Sequence, residues 1–154
     1  MQFRPRTVAN TYYFTMRLRH AHKRYLTDYP DLWFSALSRV QQELPVRVNA
    51  FVLLPDHAHV IWTLPTKRGH VERCRRLCEA FSVALADSTG ASQRLHKANF
   101  RLFRSYYPST PIHSVAQLQR LRDYLHRDPV RHGLVAAPSE WRYSSGSMVG
   151  RLLS

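Results

Sequence analysis

The chain has 154 residues and carries 23 Lys plus Arg against 10 Asp plus Glu, a formal charge of +13. That length fits one domain with one core, and 44% hydrophobic with 12% aromatic residues exclude a disordered polycation. The charge points to a polyanion, nucleic acid first and an anionic membrane surface second. No apolar run is long enough for a membrane span, and Met1-Gln-Phe-Arg-Pro-Arg6 lacks the apolar segment of a secretory signal. A cytoplasmic, nucleoid-associated protein is expected.

Residues 11–19 alternate, with Tyr12, Phe14, Met16 and Leu18 opposite Tyr13, Thr15, Arg17 and Arg19, which predicts a strand. The basic turn His20-Ala-His-Lys-Arg24 reads as a solvated loop or a phosphate contact. Leu32, Leu37, Val40 and Leu44 form the stripe of a helix over 31–44. Val46–Leu54 predicts a second strand, and Pro55-Asp56 a tight connection into a third, giving an antiparallel hairpin. Asp56 reads as a turn residue rather than a ligand.

The third strand holds His57-Ala58-His59. Both imidazoles leave one face, roughly 7 Å apart at two residues of rise, and can share one metal ion. A helix is predicted over 70–87, with Val71, Cys74, Cys78, Phe81 and Leu85 inward and Arg73, Arg75 and Arg76 outward. His70, Cys74 and Cys78 have a spacing compatible with zinc, but no fourth ligand is near and both thiols fall on the apolar stripe, so they read as core residues. Residues 88–112 lack clean periodicity and interleave Arg94, His96, Lys97, Arg101 and Arg104 with Phe100, Phe103, Tyr106 and Tyr107. Such alternation suits unstacked bases and phosphates equally with rings that fill a core. Arg17, Arg73, Arg76, Lys97, Arg101 and Arg104 are the candidate nucleic-acid contacts.

A further helix opens with the capping pair Ser114 and Gln117 and buries Val115, Leu118, Leu121 and Leu125 before Pro129 stops it. It places Tyr124 and Asp128 on one face, four residues apart. His132-Gly133 turns the chain, and residues 136–154 form a tail that docks through Trp141-Arg-Tyr-Ser-Ser145. The element order indicates a single α+β domain, a ferredoxin-like two-layer sandwich with helices on one face of an antiparallel sheet.

If the last helix packs across the histidine face, Tyr124 and Asp128 join His57 and His59. A divalent ion on His57, His59 and Asp128 would polarise a phosphate, and the Tyr124 phenol would be placed to attack it. Here the chain resembles the HUH single-tyrosine transposases, and within them the REP-associated tyrosine transposases. The matching segments are Leu54-Pro-Asp-His-Ala-His-Val-Ile61, Tyr124-Leu-His-Arg-Asp-Pro-Val-Arg-His-Gly-Leu-Val135 and Glu140-Trp-Arg-Tyr-Ser-Ser145. The resemblance implies Mg²⁺ or Mn²⁺ on the histidine pair and Tyr124 as nucleophile. It also implies cleavage of single-stranded DNA beside REP-type hairpins through a 5′-phosphotyrosine, no nucleotide cofactor, and action as a monomer. The family usually has Asn where this chain has Asp128, a harder ligand that adds negative charge near the scissile phosphate. Two other readings use the same residues: a hairpin-binding protein without catalysis, and a metallonuclease that uses water.

Overall fold

A computed structural model of the chain describes residues 8–90 and 101–147. Strands β1 (Thr11–Arg17), β2 (Arg47–Leu53), β3 (His57–Thr63) and β4 (Ser109–Ile112) lie in the order β2-β3-β1-β4, each neighbouring pair antiparallel. The helices are α1 (Tyr25–Asp28), α2 (Pro30–Glu43), α3 (His70–Thr89), α4 (Val115–His126) and α5 (Asp128–Arg131), followed by a 3-10 turn at Pro138–Glu140. This strand order, with α2 and α3 as the crossovers, is the ferredoxin-like α+β sandwich.

Strand alternation sorts side chains to two faces. Phe14, Met16, Phe51, Leu53, Ala58, Val60 and Trp62 meet Trp33, Leu37 and Val40 of α2 and Cys74, Leu77 and Phe81 of α3 in the larger core. Ala50, Val52 and Ile61 face the other way, against Leu118, Leu121 and Leu125 of α4. The expected placement of helices on one face therefore describes α2 and α3, while α4 covers the opposite one. Ile61 shares its face with His57 and His59, so the apolar side of α4 lies across the histidine strand.

β4 has no counterpart among the predicted elements. It is four residues long, contains Pro111, pairs only with β1 and is mostly exposed, so it carries neither alternation nor length. Proline is tolerated there because an edge strand leaves one side unpaired. Pro129 does end α4 at His126, yet it also sits in the first turn of α5, where a missing N–H costs nothing. The segment Trp141–Ser145 docks as expected: Trp141 Nε1 donates to the Leu53 carbonyl at 2.8 Å, and the Leu53 and Ser145 amides donate to the Tyr143 and Phe51 carbonyls. It thereby covers the free edge of β2.

Cys74 and Cys78 are buried, and burial pushes both thiols up, as expected of core residues. His70 is fully engaged. Trp62 Nε1 donates to its Nδ1 at 3.0 Å; its Nε2 lies 2.8 Å from Ser109 Oγ, which donates its own hydrogen to the Tyr107 carbonyl. Nε2 must therefore carry the proton, and the neutral ring ties α3 to β3 and β4. Burial lowers its pKa from 6.5 to about 4. The unfolded chain then binds the extra proton first, so stability is full above about pH 6.5 and falls as pH drops toward 4. A loss on the order of 2–3 kcal/mol is expected, after allowance for solvent screening at the sheet edge. Chemical denaturation of His70→Gln between these limits should show a shallower pH slope than the parent.

Candidate metal centre and tyrosine site

The centre is built where the His57 end of β3 meets the start of α5. His57 and Asp128 are buried, and His59 nearly so. Asp128 Oδ2 lies 3.1 Å from His59 Nε2, 3.5 Å from His57 Nε2 and 3.5 Å from His132 Nε2. Despite this crowding, Oδ2 has no hydrogen-bond partner among the described residues. Its sister oxygen Oδ1 accepts from the Arg131 guanidinium at 2.7 Å.

The far side of each strand imidazole is fixed. Asp56 Oδ1 lies 2.7 Å from His57 Nδ1. A carboxylate only accepts, so Nδ1 carries the proton, the tautomer that leaves Nε2 available to a metal ion at the centre. Thr15 Oγ1 sits 2.8 Å from His59 Nδ1. Burial is the main influence that lowers the His59 pKa, keeping that ring neutral. Burial by itself would raise the Asp128 carboxyl, but pairing with the Arg131 guanidinium helps to hold it well below the usual carboxylate range.

Lone pairs of neutral imidazoles aimed at an ionised oxygen repel unless a cation lies between them. Two donors about 2.1 Å from one divalent ion stand about 3.0–3.4 Å apart at octahedral to tetrahedral angles; the 3.1 Å spacing from Oδ2 falls in that range and the two of 3.5 Å lie just above it. The residues fit a metal ion. Outer partners of this kind set ring orientation and tautomer in metal sites.

Tyr124 is on the last turn of α4 and is 54% exposed. The Arg131 guanidinium lies over its ring, 3.7 Å from the centroid, while pairing with Asp128. One arginine thus links the carboxylate to the tyrosine. Tyr13 also borders the centre, stacked on His59 at 5.5 Å. Its phenol is pushed up, first by burial and then by Asp128 and Tyr124, so it is held protonated.

No family model matches the chain. It is 30% identical over 136 residues to the REP-associated tyrosine transposase of Escherichia coli K12, covering 88% of this chain and 75% of that protein. The chain belongs to the REP-associated tyrosine transposase family. A Haemophilus influenzae relative assigned to the same family is 28% identical over 143 residues, covering 90% and 81% of the two chains. The solved structure of a REP-associated tyrosine transposase bound to a REP hairpin superposes with a TM-score of 0.74 at 26% identity, covering 94% of this chain and 82% of that one. A Deinococcus radiodurans crystal structure described as a transposase shares the fold alone, with a TM-score of 0.55 at 13% identity over 82% of this chain and 97% of that one.

Within this transposase-family chain, the structure brings together His57, His59, Asp128 and the helix turn bearing Tyr124. The candidate cations scatter. Arg17 pairs in register with His57 and shares its face. Arg104 donates its amide to the Arg17 carbonyl, which places it at the same end of β1, and both it and Arg101 are exposed. Arg73 needs correction as an outward residue: it is buried, and its guanidinium donates to the Pro45 and Gly69 carbonyls. Gly69 permits that approach, since its φ is +96° and a Cβ there would collide with the Arg73 guanidinium. Arg76 is exposed and ion-paired with Glu72 and Glu43, on the helix layer opposite the metal centre. Lys97, with Arg94, His96 and Phe100, lies outside the described residues. Phe103 fills the core, and Tyr106 is 76% exposed. Thr15, Asp56, Arg131 and His132 join the site without having been assigned to it from sequence. His132 had a signal: Tyr124, Asp128 and His132 recur at steps of four, one helical face.

Proposed function

We propose that the protein is a metal-dependent single-stranded DNA endonuclease and strand transferase that cuts beside REP-type hairpins. What carries this reading is Arg131, which joins a buried cluster fit for a metal ion to an exposed tyrosine. His57, His59 and Asp128 would hold Mg²⁺ or Mn²⁺, which when bound would neutralise charge on the scissile phosphate. Tyr124 presents its phenolic oxygen to the phosphorus. The bond from that oxygen to phosphorus forms as the phenol gives up its proton to water and the bond to the 3′ oxygen breaks; the departing oxygen takes up a proton, leaving a 5′-phosphotyrosine and a 3′-OH. Return attack by a 3′-OH reverses the exchange, so bond energy is conserved and no nucleotide is needed. Arg131 keeps the ring beside the phosphate, while Asp56 and Thr15 hold both imidazoles in register.

A hairpin partner is supported by the relative solved with a REP hairpin. Of the candidate DNA-contacting residues, Arg17 and Arg104 would meet the DNA backbone at the His57 end of β1. Action as a monomer in the bacterial cytoplasm is part of the proposal, since the chain's own tail covers the β2 edge. No helix among the described residues is long and apolar enough to cross a membrane.

The test is incubation with end-labelled single-stranded hairpin DNA from the flanks of its own gene, with Mn²⁺ and with EDTA. Cleavage that needs metal and shifts label to protein size is expected. Binding without cleavage, over several hairpins and both metals, would replace the enzyme by a hairpin-binding protein.

A further inference from the structure

We propose that His132 is a fourth ligand of the same ion, giving three imidazoles and one carboxylate oxygen and turning the site from Mg²⁺ toward Mn²⁺ and later first-row divalent ions. This rests on the metal-dependent reading above and goes beyond the histidine pair and Asp128.

Donor atoms of His57, Asp128 and His132 all lie within 4.8 Å of one another. The His132 ring meets the His57 ring edge-on at 5.3 Å between centroids. Its backbone is pinned one helical turn from Asp128, the His132 amide donating to the Asp128 carbonyl at 3.0 Å. Gly133, with φ at +70°, then takes the chain away. The two strand histidines and Asp128 wall the centre from within, whereas the His132 side chain is 50% exposed and closes it on the solvent side. Charge pairing does not explain this placement. At 3.5 Å from Oδ2 the ring stands beyond the charge-assisted range, and Arg131 already engages Oδ1 at 2.7 Å. A shared ion does explain why three imidazole nitrogens converge on one oxygen that accepts no hydrogen bond.

The consequence is selectivity. Mg²⁺ demands oxygen ligands and keeps its waters, so a third nitrogen donor adds little to it. Mn²⁺ and the ions beyond it gain from imidazole, in the order of their intrinsic affinities.

Mn²⁺ titration followed by electron paramagnetic resonance, with Mg²⁺ as competitor, tests this on the full chain. His132→Gln and His132→Phe should each weaken Mn²⁺ about tenfold or more and leave Mg²⁺ nearly unchanged, a loss typical of perturbed metal shells. Spin-echo modulation should count one fewer coordinated imidazole in both. Wild-type Mn²⁺ affinity and an unchanged imidazole count in both variants would overturn the His132 ligand while leaving the pair-plus-Asp128 site standing. If His57→Ala also binds Mn²⁺ as the parent does, the metal reading of the centre fails, and His132 with it.

Discussion

Tyr124→Phe is expected to form no covalent protein–DNA species and to slow strand cleavage by roughly 10³-fold or more, the scale seen when a nucleophile is removed. Folding should be untouched. Tyr124 is half exposed, with its ring under Arg131, so losing the hydroxyl leaves no buried group unpaired. Such surface changes stay within about 0.5 kcal/mol. The phenylalanine ring still offers a face to Arg131, so hairpin affinity should also persist. Gel-shift, thermal melting and denaturing electrophoresis on one preparation separate these effects. Loss of binding together with the adduct would make Tyr124 a DNA contact rather than the nucleophile.

Asp128→Ala should abolish detectable Mn²⁺ binding and lower cleavage by about 10² or more, a loss on the scale of removing a metal partner. Three imidazoles converge on its Oδ2, and Arg131 depends on its Oδ1. The substitution therefore removes a ligand, unpairs a guanidinium and loosens the Arg131–Tyr124 stack at once. Asp128→Asn keeps a neutral oxygen donor and should retain weaker Mn²⁺ binding and part of the activity. Calorimetry and single-turnover cleavage on the three proteins give the order Asp, Asn, Ala. Equal Mn²⁺ affinity across all three would remove Asp128 from the centre.

Much of this site was legible because its parts are locally periodic. Strand alternation puts His57 and His59 on one face, and helical spacing does the same for Tyr124 and Asp128. What joins the two elements is the apolar side of α4 lying over Ile61 and Val52, a nonlocal fact. Thr15 enters only through the β1–β3 register that sets it opposite His59. Asp56 sits in the predicted turn, yet orienting His57 is a role that turn chemistry does not reveal. Arg73 was misplaced for a related reason: it borders the apolar stripe of α3, and only the nearby Pro45 and Gly69 carbonyls draw its charge inward. β4 escaped because a short edge strand with Pro111 has no pattern to read.

Mass spectrometry of the trypsin-digested protein–DNA adduct locates the nucleophile. A nucleotide is expected on Asp123-Tyr-Leu-His-Arg127, the peptide released by cleavage after Arg122 and Arg127. A nucleotide on the peptide bearing Tyr13, or cleaved DNA with no modified peptide at all, would rule out Tyr124 as the nucleophile.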